Sequence, residues 1–343
     1  MLRTIPAPAP FDHPAADVIL RSSDKEPMDF RFFKMLLTLS SPFFSDIFTL
    51  PQPNIPLLYP SERLGLDGEK ISLVQMAEDK ETLQLLLGLC TPISVHESPR
   101  FSSLQEISKV AEAALKFEMD GVLKYLRGEI ISLRFIEAQP LRVFAIAYRY
   151  GWDEEARKAA RYTLRHSIDT PFFPELEFIS GATLHKLRDY HRMCGEVASS
   201  RALLQPALAE PDDQWTWITC KRCPQAWNPD RRPSGSIYDF IATVTGLDTV
   251  DTAKLTDTRK WWVDWVRDVA KELRTRPWGE TAKKWDLLSK AVTSAASCPA
   301  CSKRAREDLE AFSLMLSVAI EKDISSVELD LSFDDWSQSS PAT

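Results

Sequence analysis

The spacing of apolar residues changes within the first fifty positions of the chain. An apolar run, Val18–Leu20, is followed by a polar turn over residues 22–25 and by a second extended segment at residues 28–32. Two such runs separated by a polar turn predict a β-hairpin. The next apolar positions lie three and four residues apart, as on one face of a helix: Phe33, Leu36 and Leu37. The pattern therefore predicts a hairpin that leads into a helix.

A second helix is predicted to begin at Ser41-Pro42. Serine is a favoured N-cap, and proline suits the first helical position because that position needs no backbone N–H. The residues that follow supply a dense apolar surface: Phe43, Phe44, Ile47 and Phe48. A β-hairpin followed by a helical hairpin predicts an α+β fold for the N-terminal part of the chain.

These residues resemble the core of BTB/POZ domains, where a strand and a turn precede the patterns D-F-x-x-x-K-x-x-L and S-P-x-F-x-x-x-F. The matching residues are Asp29, Phe30, Lys34, Leu37, Ser41, Pro42, Phe44 and Phe48. Residues 71–91 are similar to the family's next strand, acidic turn and helix, and residues 111–126 to its closing helices. The match in the closing helices is carried by Ala114, Phe117 and Met119, with Val122 in the place of a leucine. Two positions depart from the family: Phe33 stands where most members carry His, and Cys90-Thr91-Pro92 replaces Tyr-Thr-Gly.

The resemblance implies a BTB/POZ domain over residues 14–128 that works by binding other proteins. Its partners would be a second copy of itself or a cullin-type ubiquitin ligase scaffold. Residues 1–13 are rich in proline and alanine, and prolines at this density cannot form the extra N-terminal helix that many BTB dimers exchange. We therefore expect a disordered or extended lead before the domain.

The rest of the chain is predicted to be mostly α-helical. Residues 129–210 have helical periodicity and resemble, by position and helicity, the BACK-like extensions of some BTB proteins. Residues 211–333 are predicted to form a Trp-rich helical module, and residues 334–343 a loose tail. A short C-terminal strand is predicted from four alternating apolar residues: Val327, Leu329, Leu331 and Phe333. The whole chain is thus predicted to be α+β.

Composition supports a module boundary near Pro211. Eight of the ten tryptophans lie between Trp215 and Trp285. Residues 211–304 carry 16 Lys and Arg against 12 Asp and Glu, a net charge of +4, whereas the remainder of the chain carries −11. A change in both charge and aromatic content indicates a separate module.

Four prolines between residues 50 and 68 exclude a regular helix or a central strand there. The segment is predicted to be an exposed loop. Its apolar residues also allow a partner-docking loop: Ile55, Leu57, Leu58 and Tyr59.

Four cysteines occur as two C-x-x-C pairs and carry the clearest chemical signal in the chain: Cys220, Cys223, Cys298 and Cys301. Two such pairs supply the four sulfurs of a tetrahedral structural zinc site. The 74 residues between the pairs exceed the usual spacer of about 15–20, but two intervening helices can return the chain to its start. The sequence therefore predicts one structural zinc, with buried unliganded thiols or a redox C-x-x-C as alternatives.

The same region alternates basic pairs with tryptophans, which also suits a surface for single-stranded nucleic acid. The pairs are Lys221-Arg222, Arg231-Arg232, Arg259-Lys260 and Lys283-Lys284, and the interleaved rings are Trp217, Trp227, Trp261 and Trp285. A net charge of +4 over 94 residues is far below the basic footprint of such binders. The pattern favours tryptophans that form the core of a zinc-closed module.

Motifs for catalysis are missing from the sequence. It contains no G-x-S-x-G, no G-x-x-x-x-G-K-[ST] and no G-x-G-x-x-G, and its five histidines show no metal-ligand spacing.

No apolar run approaches the roughly 18–20 residues of a membrane-spanning helix. Six cysteines without a secretory signal favour a reducing compartment, the cytosol or the nucleus. We expect a non-enzymatic adaptor. The alternative is a transcription-linked or nucleic-acid-associated regulator that uses the C-terminal zinc module.

Overall fold

The fold is known from a computed structural model. It describes four stretches of the chain: residues 4–50, 71–203, 215–223 and 258–331. These residues form a mixed α+β structure that is mostly helical and contains a four-stranded sheet. The predicted loop over residues 50–68 lies outside the described residues except for Leu50. The chain divides into two compact units, unit 1 (residues 1–147) and unit 2 (residues 148–343).

The sheet of unit 1 has the strand order β1-β3-β2-β4. Its strands are β1 (Ile5–Pro6), β2 (Val18–Arg21), β3 (Met28–Phe32) and β4 (Ser72–Gln75). Strands β2 and β3 pair antiparallel, which confirms the predicted hairpin. Strand β1 is parallel to β3, and β4 is parallel to β2. The central strand β2 is buried because its apolar side chains face the core on both sides.

The N-terminal lead is ordered in its described part, residues 4–13, which agrees with the extended and not with the disordered alternative of the prediction. Ile5 and Pro6 pair with Met28 and Asp29 at the edge of the sheet. Phe11 is 1% exposed, and its ring lies 5.6 Å from that of Phe30. Proline density excludes a helix but not an edge strand, and the apolar ring supplies the burial that orders the segment.

Seven helices follow the hairpin within the described residues around unit 1. They are α1 (Lys34–Ser40), α2 (Pro42–Thr49), α3 (Lys80–Cys90), α4 (Leu104–Lys116), α5 (Asp120–Ile130), α6 (Leu133–Ile136) and α7 (Pro140–Arg149). The predicted cap of α2 is confirmed, since Ser41 Oγ accepts a 3.1 Å hydrogen bond from the Phe44 N–H. The same hydroxyl donates to the Phe117 carbonyl oxygen, which ties the helical hairpin to the end of α4.

Unit 2 is built from helices. They are α8 (Asp153–Thr163), α9 (Gly181–Leu203), α10 (Thr216–Thr219), α11 (Lys260–Thr275), α12 (Trp285–Ala296) and α13 (Ala305–Ile324). The long helix α9 packs against both α11 and α13. The division between the units lies at residues 147/148. Residues 129–147 of the predicted helical extension therefore belong to unit 1, and the rest of it shares unit 2 with the predicted Trp-rich module.

The predicted C-terminal strand is not formed by the described residues 327–331. Leu329 and Leu331 are buried and alternate with exposed neighbours, as the sequence pattern indicates. Their carbonyl oxygens accept hydrogen bonds from Arg157, at 2.7 Å from Nη1 to Leu329 and 3.4 Å from Nη2 to Leu331. A guanidinium therefore takes the place of a neighbouring strand. The last two predicted strand residues, 332 and 333, lie outside the described stretches.

None of the helices in the described stretches combines the length and apolarity needed to cross a bilayer.

Candidate metal centre

Each C-x-x-C pair of unit 2 follows directly on a helix. Cys220 is the C-cap of the short helix α10, and Cys298 comes two residues after the last residue of α12. A 3₁₀ turn, Cys301–Lys303, then leads into α13. Because α12 packs against both α11 and α13, the second C-x-x-C pair is brought close to the first.

The four sulfur atoms form one cluster. All four Sγ atoms lie within 4.8 Å of one another. The Sγ–Sγ distance is 3.8 Å between Cys220 and Cys298 and 3.4 Å between Cys223 and Cys301. A tetrahedron with metal–sulfur bonds of about 2.3 Å has edges of about 3.8 Å. A disulfide needs about 2.05 Å. The observed spacing therefore fits four thiolates around one ion and not two disulfide bonds.

The pKa of the first cysteine of each pair is lowered, which favours the thiolate. The backbone N–H of Cys301, helped by the Cys223 thiol and the Ala300 N–H, lowers the pKa of Cys298 to about 6. Burial opposes ionisation of Cys220, but the N–H groups of Arg222 and Cys223 outweigh it and lower its pKa.

The pKa of the second cysteine of each pair is raised, which favours the thiol. Burial, with the neighbouring Cys298 thiol, raises the pKa of Cys223 to about 11. Burial and the thiols of Cys220 and Cys223 raise the pKa of Cys301 as well. Without a cation, four thiolates cannot coexist at this distance because like charges repel. A bound metal ion would supply the missing positive charge and release the protons of Cys223 and Cys301.

Basic residues flank both pairs. Lys221 and Arg222 lie between the first two cysteines, and Lys303 and Arg304 follow the last one. A divalent ion with four thiolates carries a formal charge of −2, so nearby cations stabilise such a centre. This accounts for part of the basic character of the region without a nucleic acid.

Asp308 links α13, which follows the second cysteine pair, to α10, which precedes the first, and it was not identified from the sequence. Its Oδ2 accepts a 2.9 Å hydrogen bond from the backbone N–H of Thr216 and another from the Thr216 hydroxyl. Its Oδ1 lies 3.1 Å from Arg304 Nη2. The side chain is 6% exposed. The available signal was its position four residues before Phe312, on the apolar face of α13, where an acidic residue needs a partner.

The tryptophans next to the cluster form a core around Phe312. Trp217 is 1% exposed, stacks on Trp215 and on Trp262 with ring centroids 5.0 and 5.6 Å away, and meets Phe312 edge-on at 5.3 Å. Trp262 and Trp265 each lie 6.0 Å from the same phenylalanine. The aromatic rings therefore hold α10, α11 and α13 together beside the cysteines.

The predicted nucleic-acid surface is divided by this packing. Trp217 and Trp261 are buried, so their faces are not available for stacking on bases. Trp285 is 56% exposed and lies 5.3 Å from the Arg306 guanidinium. Trp227 and Arg231-Arg232 lie outside the described residues.

The other two cysteines, Cys90 and Cys194, do not belong to the cluster. Cys90 ends α3 in unit 1, where burial raises its pKa to about 11. Cys194 is fully buried on α9, and burial likewise raises its pKa to about 11. In the described stretches, the four clustered cysteines are the only His, Cys, Asp or Glu group with metal-binding spacing.

No protein-family model and no curated protein matches this chain. The chemistry of the cysteine cluster and the surfaces of the two units are therefore the basis for the function proposed below.

Proposed function

We propose that Cys220, Cys223, Cys298 and Cys301 bind one structural zinc ion that closes unit 2. The convergence of all four sulfurs carries the proposal. Four protein sulfurs fill a tetrahedral shell, and three of the four residues are buried, as expected of a structural rather than a catalytic site. A redox pair is less well supported, since its two thiols would not need a second pair beside them.

We propose that the protein is a non-enzymatic adaptor whose unit 1 is a BTB/POZ-like interaction domain. The element order of unit 1 carries this proposal: a β-hairpin, a helical hairpin, a strand, a helix and two closing helices. Unit 2 would then present the surface that recruits a client. In the more specific version, unit 1 binds a cullin-type ubiquitin ligase scaffold. The nucleic-acid alternative is weaker because two of its proposed stacking rings are buried.

An apolar face of helix α1 supports a protein-binding role for unit 1. Met35 is 68% exposed and Leu39 is 77% exposed, while Leu37 between them is buried. Leu50, just after α2, is 61% exposed. Large apolar side chains that share one helix face and stay in water favour contact with another protein. We call Met35 and Leu39 the α1 face.

The α1 face is tested with the double variant Met35→Glu/Leu39→Glu of the full chain. The matched control is Ile93→Glu, which changes an equally exposed apolar residue, 78% exposed, outside α1. Light scattering measures self-association, and pull-down with a purified cullin scaffold measures adaptor binding. We expect at least one of the two contacts in the wild type, lost in the α1 variant and kept in the control. A monomer that captures no scaffold would overturn the adaptor proposal.

A further inference from the structure

A cleft of about 360 Å³ lies in unit 1 between the turn after β4 and helix α4. Its polar lining consists of six residues: Glu78, Asp79, Thr82, Lys109, Glu112 and Lys116. The volume is at the lower end of the roughly 300–1,000 Å³ typical of ligand sites. It is large enough for one long side chain.

The two lysines of the cleft are paired with its acids. Lys109 Nζ lies 2.8 Å from Asp79 Oδ2, and Lys116 Nζ lies 2.8 Å from Glu78 Oε1. Both ammonium groups are at the rim, since their side chains are 45% and 48% exposed. The Glu78 side chain is only 10% exposed. Its second oxygen, Oε2, is buried and has no hydrogen-bond donor among the described residues.

The backbone fixes the position of this carboxylate. The carbonyl oxygen of Glu78 accepts a 2.9 Å hydrogen bond from the Ser23 N–H. Asp79 caps α3 by accepting a 2.8 Å hydrogen bond from the Thr82 N–H. The Lys80 N–H donates to Asp24 Oδ2 at 2.8 Å. Glu78 is therefore held at a rigid turn, which lowers the cost of ordering it around a ligand.

A metal ion does not fit this lining. The carboxylates of the cleft do not form a group with metal-binding spacing within the described residues. The ligand that does fit is an organic cation. A lysine ammonium is a point donor and here reaches one oxygen, whereas a guanidinium presents two parallel N–H groups that match both oxygens of a carboxylate.

We propose that this cleft binds an arginine side chain of a partner protein, whose guanidinium displaces Lys116 and pairs with both oxygens of Glu78. The exchange is favourable because the released Lys116 is half-exposed and regains its hydration. An ion pair whose ammonium group is half-exposed is a weak one. The proposal rests on the interaction role of unit 1 and adds the chemistry of the group that is recognised.

The test uses the full chain and isothermal titration with acetylated, amidated tripeptides of Gly-X-Gly. With X as arginine we expect saturable binding, and with X as citrulline, the neutral isostere, none. With X as lysine we expect weaker binding. Agmatine, a free guanidinium compound, distinguishes a small-molecule site from a peptide site. Agmatine that binds more tightly than the arginine peptide would overturn the assignment to a partner protein. Equal binding of the arginine and citrulline peptides would overturn the proposal that the cleft recognises a guanidinium.

Three variants separate binding from folding, and each is checked by its melting temperature. Glu78→Gln is expected to weaken binding of the arginine peptide by about tenfold or more, because it removes the charge from a buried acceptor. Glu81→Gln, an exposed change in the next turn of the chain, should leave binding unaltered. Lys116→Met removes the competing ammonium and should tighten binding. A purely structural Glu78–Lys116 pair predicts no tightening, and that result would overturn the proposal.

Failure of the cleft is distinguishable from failure of the adaptor role. If the α1 variant abolishes protein contacts but the tripeptides do not bind, only the arginine site is wrong. If the tripeptides bind as expected and no protein contact is found, the arginine site stands and the adaptor proposal is wrong.

Discussion

Units 1 and 2 differ in how their helices begin and in the sequence separation of their most distant links. In unit 1, three helices begin with a side-chain cap from a residue three positions away: Ser41 to Phe44, Asp79 to Thr82 and Ser103 to Glu106. In unit 2, helices α8, α10, α11, α12 and α13 begin without a side-chain cap. Unit 2 has links between residues 78 to 174 positions apart.

The long-range links of unit 2 differ in chemistry but share one consequence. They include the cysteine cluster, the Thr216–Asp308 hydrogen bonds and the Arg201–Asp323 ion pair, whose Nη2–Oδ1 distance is 3.0 Å. A link between remote residues contributes only when both partners are in place, so losing one affects the whole unit. We therefore expect unit 2 to be more sensitive than unit 1 to single substitutions.

The largest effect is expected from removing a cysteine ligand. Cys301→Ser should abolish binding of about one zinc per chain and destabilise unit 2 by several kcal/mol, because structural zinc contributes directly to folding. Elemental analysis measures the metal. All ten tryptophans lie in unit 2, so tryptophan fluorescence during thermal unfolding reports on that unit alone.

The matched control is Cys90→Ser, which changes a cysteine of unit 1 and should leave the metal content unaltered. Chelation of the wild-type protein should reproduce the Cys301→Ser melting curve. Wild-type protein that contains no metal and melts like the variant would contradict the zinc proposal and leave the cysteines as packing residues.

The next effect is expected at the centre of the aromatic core. Phe312 is 1% exposed and contacts the rings of Trp215, Trp217, Trp262 and Trp265. Phe312→Ala should cost about 3–5 kcal/mol, since a buried ring leaves a cavity. Urea unfolding followed by tryptophan fluorescence measures the loss. Phe172→Ala, at a 71% exposed ring in the same unit, should change stability by less than about 0.5 kcal/mol.

The same substitution is expected to have opposite signs at two glycines, one in each unit. A Cβ at Gly279 in unit 2 would lie 2.5 Å from the Ser317 carbonyl oxygen, so Gly279→Ala must push α13 away, at about 1–3 kcal/mol. A Cβ at Gly128, inside α5 of unit 1, meets nothing within 4 Å. Gly128→Ala should therefore stabilise by about 0.5–1 kcal/mol. Equal shifts in the two melting temperatures would contradict this contrast.

The contrast between the units also explains what the sequence could predict. The hairpin and the Ser41 cap were correctly predicted because their signals lie within a few residues of one another. The cysteine cluster was identified across 74 residues only because thiol pairs are a rare pattern with a known chemistry. Asp308 was missed, since its partner Thr216 lies 92 positions away and neither residue type signals such a bond.

Two further differences have the same origin. The alternation over residues 327–331 does predict which side chains are buried, but a strand also needs a neighbouring strand. Arg157, 172 positions before Leu329, provides the hydrogen bonds instead. The edge strand at Ile5 was likewise missed because its partner, Met28, is specified by the tertiary packing of Phe11 and not by local propensity.

A smaller effect is expected from the local cap in unit 1. Ser41→Ala removes the α2 cap and leaves the buried Phe117 carbonyl oxygen without this donor, at about 1–2 kcal/mol. Ser40→Ala is the adjacent control, because the Ser40 hydroxyl donates to the Leu36 carbonyl oxygen within α1 and does not cap α2. Hydrogen exchange of the α2 amides measures the loss. If Ser41→Ala destabilises the protein as much as Phe312→Ala does, the result would contradict the proposed difference between the units.

The smallest effect concerns pH and a surface link of unit 2. The Lys284 ammonium, 2.7 Å from Glu272 Oε1, holds the pKa of Glu272 below its usual 4.5, with a further contribution from Arg276. A carboxyl whose pKa is lowered on folding stabilises the protein above about pH 4.5 and loses that contribution as the pH falls through its folded value. Because both side chains are 33% exposed, the pair contributes less than about 1 kcal/mol. Tryptophan-monitored melting should therefore show Glu272→Gln slightly below wild type at pH 7, with the gap closing as the pH falls below 4.5. Glu307→Gln, at an exposed position of α13, serves as the control. A gap at pH 7 that persists unchanged at pH 3 would show that Glu272 acts through packing and not through its charge.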